Sequence, residues 1–170
     1  MNVSLVIPAF NQQQLLDASL ATIEPQRHEL LEVIVVDDGS YPLLKAPAWV
    51  CKVRINRKPA SRGSSAAKNT GAEYASGDWL CFADADILHL PDCFVSLKET
   101  AEQWRREGES RILLNVWRVS LPQDYPQHRL SDVERLLESC RVAGLLEDEA
   151  LATPKCFYEQ NCGMMPAALF

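Results

Sequence analysis

Two aspartates, Asp84 and Asp86, follow a short hydrophobic segment and are separated by one residue. Residues two apart in an extended segment face the same side, so both carboxylates would enter one space. Two such charges repel each other by about 4 kcal/mol at ~4 Å when the effective dielectric constant is near 20. A divalent cation removes this repulsion, and Mg²⁺ combines one or two protein carboxylates with water and phosphate oxygens. The spacing favours a metal–nucleotide site, and a solvated turn is the alternative for the tripeptide taken alone.

Two other polar clusters, residues 8–11 and 37–40, also follow short hydrophobic runs. The runs are rich in β-branched residues and bounded by turn-forming residues, which predicts buried strands. In an open parallel sheet, ligands bind outside the carboxyl ends of the strands. We therefore expect the three polar clusters to face one crevice.

The elements that must position these clusters alternate between strand-like and helix-like patterns. Asn11 is predicted to cap the first helix, and Gly77 to end the second. Small residues in the second helix predict a close approach to the sheet. This alternation indicates an α/β fold with a mostly parallel central sheet flanked by helices. Strands are predicted at 3–7, 32–37, 50–55, 78–83 and 112–119, and helices at 12–23, 64–75, from 91 or 92 to about 107, and 131–146.

Length and composition set further bounds. A chain of 170 residues favours a single domain, and a formal charge of −6 argues against nucleic acid as a partner, since that requires a basic face. No apolar run approaches the ~20 residues that span a bilayer, and no secretory signal pattern is found. Six cysteines lack a Cys-x-x-Cys pair, as is typical of free thiols in a reducing compartment. We expect a cytoplasmic protein, with membrane association only through partners or segments outside this chain.

Four segments carry a resemblance to a known family. VSLVIPAFN (3–11), VIVVDDGS (33–40), GSSAAKNTG (63–71) and GDWLCFADAD (77–86) closely resemble, in order and spacing, the family 2 glycosyltransferases of the GT-A (Rossmann-like) fold. The resemblance is close over the first hundred residues and looser as far as Phe170. It implies a nucleotide-sugar donor, usually a UDP-sugar, a Mg²⁺ or Mn²⁺ ion, and inverting transfer to a hydroxyl of a saccharide or lipid-linked acceptor. It also implies a donor-binding core at 1–120 and the start of an acceptor-side region at 121–170.

The resemblance assigns the first two clusters to the nucleotide. Pro8, Ala9, Phe10 and Asn11 match the first nucleotide-binding loop, in which Phe10 would lie against the base. An ordinary core aromatic is the alternative for Phe10. Asp37 and Asp38 match the pair that contacts the base and ribose, and an Asp-Gly turn without a ligand is the alternative.

The remaining assignments concern the metal and the diphosphate. Asp84 matches the residue that reaches the ribose or a metal-bound water, and Asp86 matches the direct metal ligand. The resemblance implies that Asp84, Ala85 and Asp86 contact the nucleotide sugar and that both acids take part in holding the metal. Lys68 or Arg62 would meet the diphosphate, and a solvated helix face is an equal reading of Lys68. His89 is expected at the surface or behind the site rather than on the metal.

The family's catalytic base has no match in this sequence. In the family the base is an Asp of a Glu-Asp pair, beyond the segment that residues 158–170 resemble. The acidic run at 147–149 lies too early, so no catalytic residue is assigned within the chain and the base is expected beyond Phe170. We therefore expect the donor-binding half of a C-terminally truncated glycosyltransferase, in which exposed apolar surface favours association into a homo-oligomer. A non-catalytic nucleotide-sugar-binding or interaction module of the same fold is the alternative.

Other nucleotide-binding classes do not fit the segment after the first strand. A nicotinamide-binding domain would carry Gly-x-Gly-x-x-Gly there, and residues 8–11 do not. A nucleotidyltransferase would carry a Gly-rich loop with an Arg. A phosphatase would have its Asp-x-Asp after the first strand rather than at 84–86.

Overall fold

The computed structural model describes residues 1–54, 63–108, 114–115 and 162–167. In this part of the chain one six-stranded sheet is flanked by three α-helices and a 3₁₀-helix. The predicted helix at 131–146 and most of the predicted strand at 112–119 lie outside the described residues. The elements are β1 (Val3–Ala9), α1 (Gln13–Ile23), the 3₁₀-helix (Glu24–Glu29), β2 (Glu32–Asp37), β3 (Cys51–Arg54), α2 (Ser64–Tyr74), β4 (Trp79–Ala83), α3 (Cys93–Arg106), β5 (Leu114–Asn115) and β6 (Cys162–Pro166).

The sheet is mostly parallel, as the sequence predicts. Its strand order is β3-β2-β1-β4-β6-β5. The first four strands in this order run parallel, and β6 is antiparallel to both β4 and β5. The carboxyl ends of β1, β2 and β4 therefore lie along one edge, and Ala9 at the end of β1 is paired with Asp37 at the end of β2.

The two faces of the sheet are covered by different helices. Alternate residues of a strand point to opposite faces, so β1 contributes Leu5 and Ile7 to one core cluster and Val6 to the other. The first cluster receives the apolar stripes of α1 and α3, and the second receives α2. The buried residues of these helices include Leu16, Leu20 and Ile23 of α1, Phe94, Leu97 and Ala101 of α3, and Ala67 and Gly71 of α2.

The small residues of α2 allow the close approach that the sequence predicts. Ala67 is fully buried, and a Cβ atom at Gly71 would lie 2.3 Å from Cγ1 of Val6 and 3.0 Å from Cγ2 of Val36. Contacts between carbon atoms are optimal at about 3.5–4.0 Å, so a side chain at position 71 would overlap β1. Glycine at this position thus sets how close α2 lies to the sheet.

Two predicted helix ends are wrong because the residues have partners elsewhere. The first position of α1 follows Gln12, which makes no side-chain capping bond, and Asn11 lies outside the helix with φ +54°. The second helix ends at Tyr74 with Ala75 extended, so Gly77 does not cap it. Gly77 is instead packed against β1, where a Cβ atom would lie 2.7 Å from Oγ of Ser4.

At the amino ends of the strands, opposite the three polar clusters, the Glu32 carboxylate links neighbouring segments. Its Oε1 accepts hydrogen bonds from the Ser4 hydroxyl (2.7 Å), the Ser76 N–H (2.7 Å) and the Ser76 hydroxyl (2.8 Å). Partial burial opposes ionisation, but these hydrogen bonds outweigh it and lower the pKa of Glu32. A satisfied polar network therefore joins β1, β2 and the α2–β4 connection.

No helix within the described ranges is both long enough and apolar enough to span a bilayer.

Candidate functional site

The loops after β1 and β2 are tied together at the carboxyl edge of the sheet. The Asp38 N–H donates to the Ala9 carbonyl (3.0 Å), and the Asn11 N–H donates to the Ser40 hydroxyl (2.9 Å). The Asn11 side-chain oxygen accepts from the Tyr41 N–H (2.9 Å). Asparagine tolerates the left-handed backbone of position 11 better than most residues. Two of the predicted polar clusters therefore form one fixed unit.

Pro8 and Ala9 differ from their predicted position in a loop. Both are buried and complete β1, where they pair with Val36 and Asp37. The proline does not end the strand, because β1 continues for one more residue in the centre of the sheet. Only the last two of the four residues assigned to the first nucleotide-binding loop, Phe10 and Asn11, lie beyond the strand and are exposed.

Asp37 is a buried carboxylate that shapes its own loop. It is 1% exposed, and its two oxygens accept the backbone N–H groups of Ser40 (2.8 Å) and Leu44 (3.3 Å). Asp and Asn commonly hold turns in this way. The turn that was the alternative for Asp37 is thus present in the structure.

Asp38 connects the loop after β2 to the start of α2. It is 4% exposed, and its Oδ2 accepts the N–H of Gly63 (2.9 Å), which has φ +92° and precedes the helix. Arg62, the neighbouring predicted diphosphate contact, lies outside the described residues. Asp38 therefore fixes the end of α2 that faces the carboxyl edge.

Lys68 forms an ion pair across the site, which the sequence does not reveal. Its Nζ lies 3.1 Å from Oδ1 of Asp84, and the two side chains are 17% and 27% exposed. The solvated helix face considered for Lys68 is therefore wrong. The pair fixes α2 to the end of β4 and partly compensates the charge of Asp84.

The two aspartates after β4 lie in a turn rather than in the extended segment that the spacing predicts. The Ile87 N–H donates to the Asp84 carbonyl (3.1 Å), and Ala85 is buried. Asp86 is exposed, and no residue of the described ranges forms an ion pair with it.

Asp84 and Asp86 can hold a divalent ion only if water and substrate phosphates supply most of its ligands. The described residues contain no group of three or more His, Cys, Asp or Glu side chains that could hold a metal. Mg²⁺ commonly takes one or two carboxylates and completes its coordination with water and substrate phosphates. An exposed Asp86 beside a turn, with Asp84 already paired to Lys68, suits that mode of binding.

Two rings predicted near the site have different environments. Phe10 is 39% exposed at the carboxyl edge, so it is not an ordinary core aromatic. His89 is 3% exposed, and its ring centroid lies 5.2 Å from that of Phe94. The backbone N–H of His89 donates to the Thr22 hydroxyl (3.0 Å). The expectation of a surface position for His89 is wrong, because the ring packs in the core beneath α3.

Sequence reasoning missed three of the contacts that shape this site. Ser40 and Gly63 bond to residues 29 and 25 positions away, and Asp84 pairs with a lysine of the preceding helix. The Asp-Gly-Ser pattern at 38–40 is a signal for the turn around Ser40. Nothing in the local sequence indicates the other two pairs.

The fold and these loops define an α/β protein with three polar segments at the carboxyl ends of the strands of a mostly parallel sheet. The chain belongs to glycosyl transferase family 2, whose sequence model matches residues 4–139. It is 27% identical over 131 residues to the amylovoran biosynthesis glycosyltransferase AmsB of Erwinia amylovora, covering 73% of this chain and 43% of that protein. It is 27% identical over 91 residues to the UDP-Glc:alpha-D-GlcNAc-diphosphoundecaprenol beta-1,3-glucosyltransferase WfgD of Escherichia coli, covering 52% of this chain and 36% of that protein.

A solved structure confirms the predicted GT-A fold. The mannosyltransferase PcManGT of Pyrobaculum calidifontis, in complex with GDP-Man and Mn²⁺, superposes with a TM-score of 0.58 at 21% identity, over 97% of this chain and 44% of that one. The chain thus spans less than half the length of these relatives.

Proposed function

We propose that this chain forms the donor-binding part of a glycosyltransferase that uses a nucleotide sugar and a divalent metal. The observation that supports this most strongly is the carboxyl edge of the sheet, where the loops after β1 and β2 are hydrogen-bonded together beside the turn at 84–87. That edge is where α/β sheets bind ligands. In a member of this family the ligand we expect is a UDP-sugar, and transfer inverts the sugar's configuration.

Phe10 and Asp38 are proposed to receive the nucleoside. Phe10 is exposed at the edge and offers a ring face to the base. Asp38 accepts the N–H of Gly63 beside this edge, and a carboxylate is the kind of acceptor that suits a uracil N–H or a ribose hydroxyl. Asp37 is proposed to support this site indirectly, since both its oxygens already hold the loop.

The acids after β4 are proposed to hold the metal side of the donor. Asp86 presents an exposed carboxylate, and Lys68 holds the neighbouring Asp84 in place through the ion pair at 3.1 Å. Lys68 and Arg62 are the cations proposed to lie nearest to the diphosphate. When bound, Mg²⁺ or Mn²⁺ supplies charge neutralisation for the departing nucleoside diphosphate.

The acceptor side is proposed from relatives rather than from geometry. WfgD is named for transfer to a GlcNAc-diphosphoundecaprenol acceptor, so a saccharide or lipid-linked hydroxyl is the acceptor class we propose. Transfer also requires a base within ~3 Å of that hydroxyl, directly or through one water. None of the described residues is assigned this role. Cytoplasmic location, membrane association and homo-oligomer formation remain predictions.

Calorimetric titration tests donor binding. UDP should bind in the presence of Mn²⁺ and much more weakly in its absence, and GDP titrated under the same conditions reports which base is preferred. Loss of a charge-assisted contact costs about 1.5–3 kcal/mol, so Asp86→Asn should weaken metal-dependent UDP binding by roughly ten- to a hundredfold. Asp78→Asn is the matched control, because Asp78 is also exposed but precedes β4, at the opposite end of the strand.

Two results would contradict the proposal. Absence of binding to both nucleotides with either Mn²⁺ or Mg²⁺ would remove the donor site, and equal effects of the two substitutions would remove Asp86 from it. A transfer assay with radiolabelled UDP-sugars then separates an enzyme from the non-catalytic binding module.

A further inference from the structure

Positive charge is concentrated in one stretch of this acidic chain. Residues 39–72 contain seven of the 17 Lys and Arg residues and none of the 23 Asp and Glu residues. The stretch therefore carries +7, and the remainder of the chain carries −13. Lys68 and Arg62 are accounted for by the donor site. The other five basic residues have no assigned function and are Lys45, Lys52, Arg54, Arg57 and Lys58.

Exposed apolar side chains lie in the same stretch. Tyr41 is 92% exposed and Leu43 is 49% exposed, in the connection between β2 and β3. Lys45 and Lys52 are also exposed, and Nζ of Lys52 donates to the carbonyl of Leu44 (2.8 Å). The two lysines are thus close in the chain or in space to the two apolar residues. We call Tyr41, Leu43, Lys45 and Lys52 the basic loop surface.

The backbone beneath this surface is held in place from both sides. Asn11 accepts the N–H of Tyr41 (2.9 Å), Asp37 accepts that of Leu44 (3.3 Å), and Gln13 accepts that of Lys45 (2.7 Å). Leu44 itself is buried in the core. Tyr41 and Leu43 therefore project from a fixed loop, and their exposure is a property of the fold.

We propose that the basic loop surface docks on an anionic lipid membrane. Tyrosine favours the membrane–water interface, a leucine beside it can enter the acyl boundary, and lysines near the surface each add about 1 kcal/mol of attraction to anionic lipid, roughly a fivefold gain in affinity. Outside this stretch the chain carries −13, so attraction to anionic lipid comes from this stretch and not from the net charge of the chain. Nucleic acid shares the phosphate chemistry but offers no apolar layer for Leu43.

Docking in this way would bring the candidate donor site near the membrane surface. Asn11 and the loop after β2 belong to both regions, through the bond from the Tyr41 N–H. The proposal does not require sugar transfer, and its test contains no nucleotide. Failure here would leave the titration with UDP unaffected.

Vesicle sedimentation tests the proposal with the full 170-residue chain. The chain should sediment with vesicles of equal parts phosphatidylcholine and phosphatidylglycerol, bind pure phosphatidylcholine much less, and dissociate as salt is raised. Lys45→Gln combined with Lys52→Gln should lower partitioning about 25-fold, from a fivefold loss per charge. Tyr41→Ser combined with Leu43→Ser should lower it at least tenfold on the same vesicles.

Matched controls change the same residue types elsewhere. Arg105→Gln with Arg106→Gln removes two positive charges from the end of α3, and Leu31→Ser with Tyr74→Ser removes apolar side chains that are 51% and 60% exposed. Both control pairs should retain binding, and circular dichroism should show that every variant is folded. The proposal would be overturned if the chain did not sediment with anionic vesicles at low salt, or if the control pairs lost as much vesicle binding as the pairs on the basic loop surface. It would also be overturned if the chain bound single-stranded DNA as tightly as vesicles and this binding did not change on substitution of Tyr41 and Leu43.

Discussion

Replacing Gly71 with alanine tests how α2 is seated on the sheet. The new methyl group would lie 2.3 Å from Cγ1 of Val6 and 3.0 Å from Cγ2 of Val36, inside the contact distance of about 3.5–4.0 Å. Overpacking of a core costs about 1–3 kcal/mol, and two contacts this short favour the upper part of that range. Alanine returns about 1 kcal/mol through its higher helix propensity. We therefore expect Gly71→Ala to lower the free energy of unfolding by about 1–2 kcal/mol.

Urea unfolding followed by circular dichroism measures this change, with the m-value expected to stay constant. Val6→Ala supplies the decisive background, because it removes both methyl groups of Val6 that crowd position 71. Alone it should cost about 2 kcal/mol in lost burial and cavity formation. In that background Gly71→Ala should become neutral or stabilising by up to ~1 kcal/mol, since the helix-propensity gain remains and the worst overlap is gone.

Whether Gly71→Ala lowers or raises the free energy of unfolding decides the test. If Gly71→Ala stabilises the otherwise unchanged chain, α2 does not lie against β1 at the distance described. If it destabilises equally in both backgrounds, the cost arises from something other than contact with Val6.

Three further predictions concern charged and buried polar groups. A double-mutant cycle of Lys68→Met and Asp84→Asn should give a coupling of about 0.5–3 kcal/mol in urea unfolding, and strict additivity would contradict the ion pair at 3.1 Å. Hydrogen bonds lower the pKa of Glu32 below its ordinary value of 4.5, so the ionised carboxylate stabilises the folded chain above pH 4.5, and this stabilisation is lost as the pH falls through the lowered pKa of the folded state. Glu32→Gln should therefore reduce the dependence of the free energy of unfolding on pH in this acid range, and an unchanged pH dependence would contradict the linkage. His89→Phe should leave the stability unchanged or raise it by up to ~2 kcal/mol in thermal melts, because the ring packs on Phe94 and the ring nitrogens have no hydrogen-bond partner in the described part of the chain. A clear loss of stability would show that the ring nitrogens do have such a partner.

The strands and helices around the site could be predicted because their patterns are local. Short apolar runs give β1, β2 and β4, and a 3.6-residue apolar period gives α1 and α3 within a residue or two. The parallel pairing of β1 with β2 follows from the helix α1 between them. The convergence of three polar clusters at one edge is therefore visible in the sequence.

The roles of single residues were harder to predict, because they depend on partners that are distant in the chain. Asn11 was expected to cap a helix, but its side chain holds Tyr41, 30 residues further on. Gly77 was expected to end a helix, but a side chain at this position would instead overlap Ser4, which is 73 residues away in the sequence. Asp84 and Asp86 were expected to be extended, and the turn that holds them shows only in the backbone bond to Ile87.

The position of β3 at the edge of the sheet bears on how this protein behaves at high concentration. Its outer side has no strand partner in the described ranges, and an open strand edge is a template for pairing with another chain. Lys52 is an exposed charge on this strand, and lysines at such edges discourage self-association. Neutralising Lys52 therefore makes pairing of this strand with another chain, and so aggregation, easier. Pelleting of such a variant must be measured without lipid before any change in its membrane binding is interpreted.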